Sequence, residues 1–123
     1  MPVWQKSREL SKNIFELTIE GTFARDFALR DQINRSSGSI MDNIAEGFER
    51  GSRNEFVNFL TYSKGSSGET LSQLYRASDR RHISEDQFVK FKSDTEAVSR
   101  MIGGFIVYLN TSSIRGNKFK NRT

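Results

Sequence analysis

The feature that most limits how this chain can fold is its single proline, which stands at position 2. Proline lacks a backbone N–H and breaks helices, so the roughly 120 residues that follow it can form long unbroken helices. Through this stretch, apolar residues recur in alternating steps of three and four, which is the spacing of one helix face. The pattern predicts an all-α protein.

Glycines and capping residues divide the chain into four helical segments. Gly21 and Gly51 stand where two helices should end, because glycine readily takes the left-handed conformation of a helix C-terminus. Ser52-Arg-Asn-Glu55 and Ser84-Glu-Asp-Gln87 have the capping-box pattern that begins a helix. The predicted helices cover about residues 3–20, 26–50, 52–80 and 84–111.

A stripe of mostly apolar residues along each segment predicts the core. Short links between long helices favour antiparallel neighbours, and the three-four spacing favours packing about 20° from parallel. We therefore expect an elongated, antiparallel, up-down-up-down four-helix bundle. The stripes are Val3, Ser7, Leu10, Ile14 and Leu17, widened by Trp4 and Phe15; Ile33, Ser37, Ile40, Ile44 and Phe48; Phe56, Phe59, Leu60, Ser63, Ser67, Leu71 and Leu74; and Phe91, Thr95, Val98, Ile102, Phe105 and Leu109.

The centre of the third segment consists of small residues. Ser63, Gly65, Ser66, Ser67 and Gly68 lower its helix propensity, by about 1 kcal/mol for each glycine relative to alanine. A neighbouring helix that packs closely over these small side chains would compensate. The alternative is a Gly/Ser loop that splits the segment in two.

The chain has more large apolar residues than one slim bundle needs in its interior, with ten phenylalanines among 123 residues. An exposed apolar set of this kind favours self-association, so we expect a homo-oligomer. The residues that fall off the stripes are Val57, Tyr62, Tyr75, Ile106, Tyr108 and Phe119.

The net charge of +4 belongs to the C-terminal segment alone. All 15 acidic residues and 15 of the 19 basic residues precede residue 115. The segment 114–123 is polar and free of acidic residues, which predicts a basic, disordered tail. It would serve either as a solubilising tail or as a phosphate-binding arm. Its cations are Arg115, Lys118, Lys120 and Arg122.

Further arginines gather toward the predicted helix ends. Cations stabilise helix C-termini, and they also bind nucleic-acid phosphates, so the structural and the nucleic-acid interpretations both apply here. The candidates are Arg50, Arg53, Arg76, Arg80 and Arg81.

The stretch from Ser39 to Gly47 is the least typical part of the second helix. Asn43 and Gly47 border its apolar face, and Gly47 would let another backbone approach beside the Asn43 amide. Glu46 and Glu69 are candidates for a paired-carboxylate site, but the favoured interpretation is that Asn43, Glu46 and Glu69 form hydrogen bonds between helices or subunits and so select one packing register. The residues assigned to structure and assembly are Asn43, Glu46, Gly47, Gly65, Ser66 and Glu69.

Several functional classes are disfavoured by composition. The chain has no cysteine and one histidine, His82, which we expect to be solvated in a turn. The Glu-x-x-His repeats of di-metal bundles are missing, so we expect no metal, no cofactor and no enzymatic activity. No signal peptide or membrane-spanning run stands out, and we expect a cytoplasmic protein without a membrane partner.

Several segments resemble a known family over most of residues 3–111. They are Val3-Trp-Gln-Lys6, Leu29-Arg-Asp-Gln-Ile-Asn-Arg35, Ser39-Ile-Met-Asp-Asn-Ile-Ala-Glu-Gly47, Phe59-Leu60, Lys64-Gly-Ser66 and Glu69. These segments resemble the four-helix-bundle proteins encoded in intervening sequences of bacterial 23S rRNA genes, the "S23 ribosomal protein" family. The chain departs from the family pattern at Met41-Asp42 and at Gly68.

The resemblance implies a pentameric, ring-like assembly without enzymatic activity or cofactor. The family is more distantly similar to the accessory variability determinant of diversity-generating retroelements, a pentamer that binds nucleic acid and a reverse transcriptase. The resulting expectation is a homo-oligomer that binds RNA or DNA through its helix-end arginines and basic tail. The alternative is a protein-interaction scaffold without nucleic-acid affinity, for which the distant resemblance implies a protein partner such as a reverse transcriptase.

Overall fold

The protein is an antiparallel four-helix bundle. The computed structural model describes the backbone of residues 1–122 and the side chains of residues 1–111. The helices are α1 (Pro2–Thr18), α2 (Phe27–Glu49), α3 (Arg53–Asp79) and α4 (Glu85–Arg122), and a short 3-10 turn (Phe23–Arg25) lies between α1 and α2. The predicted all-α class and bundle architecture are confirmed.

The helix boundaries follow from local chemistry. Gly21 and Gly51 have positive φ angles of 58° and 74°, which glycine adopts without steric cost. The Ser52 hydroxyl accepts a hydrogen bond from the Glu55 N–H at 3.4 Å, and the Ser84 hydroxyl accepts one from the Gln87 N–H at 3.1 Å. Both predicted capping residues therefore stand at the start of a helix.

Consecutive helices pack side by side, and α1 also contacts α4. The pair α2 and α3 shares the largest interface, and α3 packs next most extensively on α4. The Phe56 and Phe105 rings lie 5.4 Å apart near one end of α3, and the Tyr75 and Phe88 rings lie 4.8 Å apart near the other. These two pairs fix α3 and α4 as antiparallel neighbours.

The buried side chains follow the predicted stripes, with two exceptions. Phe15 is 52% exposed, so the expectation that it widens the apolar stripe of α1 is wrong. Phe48 is 58% exposed, so the expectation that it continues the apolar face of α2 is wrong. Gly47 takes the buried position, and the next residue points about 100° further round the helix, toward solvent. The buried apolar residues are Val3, Leu10, Ile14, Phe23, Leu29, Ile33, Ile40, Ile44, Leu60, Leu74, Ala77, Ile83, Phe91, Val98 and Ile102.

The small residues of α3 face in two directions. The helix is unbroken from Arg53 to Asp79, so the alternative of a loop in this segment is wrong. Ser63 and Ser66 are buried against α2. At Gly65 and Gly68, by contrast, an added Cβ would find no other atom within 4 Å. Packing within the bundle therefore accounts for the serines but not for these two glycines.

Helix α4 extends past the other helices. Its 38 residues give a length of about 57 Å, against about 40 Å for the 27 residues of α3. Because Phe105 lies beside Phe56, near the start of α3, the part of α4 beyond about Tyr108 projects past the end of the bundle. We call this end, where α2 ends and α3 begins, the α2–α3 end.

The predicted tail, residues 114–123, follows this projection. Its backbone is helical as far as Arg122, so the helix continues past the predicted end near residue 111. The side chains of Phe119 and of the tail cations lie outside the described residues, and their roles stay predictions. Within the described part of the chain, no helix is both long and apolar enough to span a membrane.

Candidate functional site

A seam of hydroxyl groups lies between α2 and α3. The Ser36 hydroxyl lies 2.8 Å from the Thr70 hydroxyl and donates to Gln73 Oε1 at 2.6 Å. Near the middle of the interface, the Ser63 hydroxyl donates to the Ile40 carbonyl at 2.7 Å. Ser36, Ser63 and Thr70 are buried, and each has a hydrogen-bond partner. Small polar side chains thus let the two helices approach closely.

The Asn43 amide bonds within its own helix and reaches α3 only indirectly. Its Nδ2 donates to the Ser39 carbonyl and to the Ser39 hydroxyl, both at 2.9 Å. The Ser66 hydroxyl then donates to the Ser39 hydroxyl at 3.1 Å. Ser39 is therefore the residue that links Asn43 to Ser66, and the sequence analysis did not single it out.

Gly47 lies at a close contact between α2 and α3. A Cβ built on Gly47 would stand 2.7 Å from the Phe59 Cβ and 3.0 Å from Cδ1 of Phe56. Contacts shorter than 3 Å are not tolerated between carbon atoms, so only glycine fits at this position without a shift of α3. The close approach of a second backbone at Gly47 agrees with the sequence-based expectation.

The two candidate carboxylates, Glu46 and Glu69, lie far apart. Glu69 lines an open groove beside Ser36, whereas Glu46 stands ten residues further along α2, which corresponds to about 15 Å. Glu46 pairs instead with Arg50 at 2.9 Å, one helical turn away on the surface. The paired-carboxylate hypothesis is therefore wrong, because the register between α2 and α3 separates the two side chains.

A cluster of polar side chains links the α1–α2 and α3–α4 connections at the opposite end of the bundle. The two ring nitrogens of His82 lie 2.8 Å from the Thr22 hydroxyl and 2.8 Å from Asp26 Oδ2. Arg80 donates to the same carboxylate oxygen at 2.8 Å. The Phe23 ring stacks on the imidazole at a centroid distance of 5.2 Å. We call these residues the His82 cluster.

The structure corrects the expectation for His82. The turn was predicted, but the side chain is only 10% exposed, so the predicted solvated histidine is wrong. In an up-down-up-down bundle the first and third connections lie at the same end, and Asp26 caps α2 there. Once this topology is assumed, the shared end of the bundle points to Asp26 as a polar partner for His82, but neither residue type nor spacing in the sequence marks the pair.

In this cluster the Thr22 hydroxyl contacts the His82 imidazole, which contacts the Asp26 carboxylate. Enzymes that activate a hydroxyl nucleophile use the same sequence of groups. However, Arg80 binds the same Asp26 oxygen that contacts His82, so this carboxylate oxygen does not serve the imidazole alone. The contacts join two connections that are more than 50 residues apart in sequence. The geometry therefore fits a structural role, in which the cluster holds the two connections together, better than a catalytic one.

Protonation of Asp26 in acid should weaken its contacts with Arg80 and His82. Hydrogen bonds from His82 and then from Arg80 lower the pKa of Asp26 from 3.8 to about 2. The unfolded chain therefore takes up the proton first, so this stabilisation is complete above about pH 5 and is lost as the pH falls through 2. With solvent screening at this surface, we expect the folded state to lose about 1.5 kcal/mol from this group.

Urea titrations between pH 5 and pH 2, on the parent and on Asp26→Asn, measure this loss. Asparagine caps a helix as well as aspartate does but does not titrate, so the variant should show a shallower decline in stability. Parallel curves for the two proteins would contradict the lowered pKa.

The helix-end arginines do not form one patch. Arg50 and Arg53 lie at the α2–α3 end, whereas Arg76, Arg80 and Arg81 lie at the other end of α3, about 40 Å away. Arg50 pairs with Glu46 and covers the Phe59 ring at 5.2 Å. Arg76 donates to Gln32 Oε1 at 2.8 Å, and Arg80 binds Asp26. These three arginines therefore have structural contacts within the bundle.

Aromatic residues gather at the α2–α3 end. The rings of Phe48, Phe56, Phe105 and Tyr108 form a chain in which neighbouring centroids lie 5.4 to 6.2 Å apart. Phe48 and Tyr108 are more than half exposed, and so is Tyr62 nearby. Among the residues whose side chains are described, no His, Asp and Glu side chains converge as a metal site.

Comparison with known proteins agrees with this architecture. A solved structure from the S23 ribosomal protein family of Bacteroides thetaiotaomicron, described as a protein of unknown function, superposes with a TM-score of 0.77. It shares 25% sequence identity, and the alignment covers 85% of this chain and 97% of that one. No curated protein sequence matches the chain. The family model of the 23S rRNA-intervening sequence protein matches residues 1–104, and the chain therefore belongs to that family.

Proposed function

We propose that this protein is a cytoplasmic, non-enzymatic homo-oligomer, ring-like and pentameric, that binds RNA or DNA. The observation that carries the proposal is the coincidence of two features at the α2–α3 end. Exposed aromatic residues gather there, and the segment that holds the whole net positive charge follows the projecting part of α4. One end of the bundle thus combines an apolar surface with cations.

The exposed apolar residues support self-association. Phe48, Tyr62, Val107 and Tyr108 are each more than half exposed, and all lie on the half of the molecule near the α2–α3 end. Large side chains clustered on one surface commonly mark an interface, whereas isolated ones are ordinary. Phe15, Ile19 and Phe27 form a second exposed set near the opposite end.

The distribution of cations supports nucleic-acid binding at the α2–α3 end. Arg53 is exposed at the start of α3. The projecting part of α4 continues from the same end of the bundle into the segment that contains Arg115, Lys118, Lys120 and Arg122. A ring would gather several such ends and multiply their charge. Affinity from phosphate contacts arises mainly from counterion release, and it should therefore fall steeply with salt.

A salt titration of binding to single-stranded and duplex RNA and DNA tests the proposal, together with light scattering at micromolar concentration. We expect an oligomeric mass and binding that weakens as salt rises. Replacing Arg115, Lys118, Lys120 and Arg122 with glutamine should reduce the salt slope by about 3, because each phosphate contact contributes about 0.7 to 0.9.

The matched control replaces two exposed arginines at the far end, Arg25 and Arg81, with glutamine. That variant should bind like the parent. A monomeric mass would contradict the oligomer, and the absence of binding at low salt would contradict the nucleic-acid role.

The alternative function is a protein-interaction scaffold without nucleic-acid affinity, with a partner protein such as a reverse transcriptase. The equal numbers of acidic and basic residues before residue 115 favour it, because the bundle then lacks a net attraction for phosphate. An oligomer that binds no nucleic acid at any salt concentration would select this alternative.

A further inference from the structure

A narrow polar groove lies on the outside of the bundle between α2 and α3, above the seam of hydroxyl groups. Ser36 and Ser66, both buried, form its floor, Arg35 lies on the α2 wall and Glu69 lies on the α3 wall. The volume of the groove is about 190 Å³. Pockets for drug-sized ligands measure about 300 to 1,000 Å³, so this polar groove suits a smaller group, such as one planar ring system.

Two glutamine side chains in the polar groove use their amide oxygens within the protein. Gln32 Oε1 accepts a hydrogen bond from Arg76 at 2.8 Å, and Gln73 Oε1 accepts one from the Ser36 hydroxyl at 2.6 Å. Both glutamines line the groove. Each amide also has an NH₂ group with two N–H donors. These NH₂ groups are therefore the part of each glutamine that is left to donate to a ligand.

Opposite charges lie on the two walls of the polar groove without forming an ion pair. Arg35 precedes Ser36 and Glu69 precedes Thr70, and the Ser36 and Thr70 hydroxyls lie 2.8 Å apart. The two charged residues therefore stand at nearly the same level of the bundle. The ion pairs among the described side chains include neither of them. A guanidinium and a carboxylate are thus both available to a ligand between the walls.

Among the nucleic-acid bases, guanine matches these available groups. Its Watson–Crick edge has two adjacent donors, the ring N–H and the exocyclic amino group, and the two oxygens of a carboxylate accept from both at once. Adenine, cytosine and uracil each have an acceptor beside their donor, which a carboxylate repels. The O6 and N7 atoms of guanine are acceptors to which arginine donates with two N–H groups. A carboxylate facing a guanidinium therefore selects guanine.

We propose that the polar groove binds one guanine base of a single-stranded nucleic acid. Glu69 accepts from the Watson–Crick donors of the base, Arg35 donates to O6 and N7, and the glutamine NH₂ groups supply further donors. The proposal rests on the nucleic-acid binding proposed above and adds a base preference to it. A phosphate group suits the groove less well, because the Glu69 carboxylate repels it. Ser39, at one end of the groove, lies ten residues before the end of α2, or about 15 Å, so a short strand can reach both the groove and the α2–α3 end.

Fluorescence anisotropy with three short, labelled uridine strands tests the base preference. The strands are identical except for one central guanosine, inosine or adenosine, and inosine differs from guanosine only in lacking the exocyclic amino group. We expect the parent to bind the guanosine strand about fivefold more tightly, or better, than either of the others at the same salt concentration, because a bidentate contact discriminates between bases by this factor or more.

Glu69→Gln and Glu16→Gln form a matched pair of variants. Both glutamates are exposed, and Glu16 lies on α1, outside the polar groove. Glutamine has one acceptor oxygen and an NH₂ donor in place of two acceptor oxygens, so Glu69→Gln should bind the three strands within about twofold of one another. Its overall affinity should not fall, because the variant loses a negative charge. Glu16→Gln should keep the preference of the parent, and circular dichroism checks that both variants fold.

The possible results separate this proposal from the one on which it rests. Equal binding of the three strands by the parent, or a guanosine preference that Glu69→Gln retains, would overturn the guanine site and leave nucleic-acid binding standing. If no strand binds at low salt, nucleic-acid binding is overturned, and calorimetry with guanosine and inosine monophosphates decides about the groove. Binding of guanosine monophosphate alone would make it a site for the free nucleotide, and binding of neither would overturn both proposals.

Discussion

Gly47→Ala is expected to destabilise the bundle by about 2 kcal/mol, although alanine favours a helix over glycine by about 1 kcal/mol. The new Cβ would lie 2.7 Å from the Phe59 Cβ, which is fixed to the backbone of α3. Relief requires a shift of the whole helix, and well-packed interiors resist such shifts. Chemical denaturation of the variant and the parent measures the change.

Gly38→Ala is the matched control for this prediction. Gly38 lies on the same helix, but an added Cβ there would meet no other atom within 4 Å. Only the helix-propensity term remains, so Gly38→Ala should stabilise the protein by about 0.5 to 1 kcal/mol. Equal effects of the two substitutions would show that the contact with Phe59 does not determine the choice of glycine at position 47.

Ser63→Leu is expected to destabilise the bundle by about 3 kcal/mol or more, or to prevent folding. Ser63 is fully buried at the α2–α3 interface, and its hydroxyl donates to the Ile40 carbonyl at 2.7 Å. A leucine side chain would have to separate two helices that a small residue keeps close. Thermal and chemical denaturation report the loss.

Two further variants isolate the cause. Ser63→Ala removes the hydroxyl without adding volume, and since the Ile40 carbonyl also lies within a helix, it should cost only about 1 kcal/mol. Ser72→Leu adds the same volume as Ser63→Leu at an exposed position of α3 and should change stability by less than about 0.5 kcal/mol. A large effect of Ser72→Leu would mean that helix propensity, and not packing, dominates.

Much of the candidate site could be predicted from residue types. A glycine beside Asn43 predicted a close approach, and the structure places Phe59 there. The serines of α3 predicted a tight helix neighbour, and α2 is that neighbour. The Asn43 amide was expected to bond across an interface, but it donates to the Ser39 carbonyl in its own helix. The preceding helical turn supplies this acceptor without any tertiary contact.

The His82 cluster was missed because its members have no local relation. His82 and Asp26 are 56 residues apart, and neither belongs to a periodic pattern that sequence analysis can detect. Glu46 and Glu69 are the opposite case, because two residues with suitable chemistry are separated by the register of α2 and α3, and the catalytic alternative that the sequence left open is wrong. A register shift of one helical turn moves a side chain by about 5.4 Å, and spacing along one helix does not specify it.

By itself, the sequence determined the features that depend on near neighbours in the chain. These are the four helices, their capping residues, the buried stripes and the separation of a basic C-terminal segment from a neutral bundle. The tertiary structure alone decided the features that depend on register between helices. It paired Gly47 with Phe59 and brought Asp26 to His82. The physical reason is that helix formation and capping act over about four residues, whereas helix packing sums contacts between distant segments.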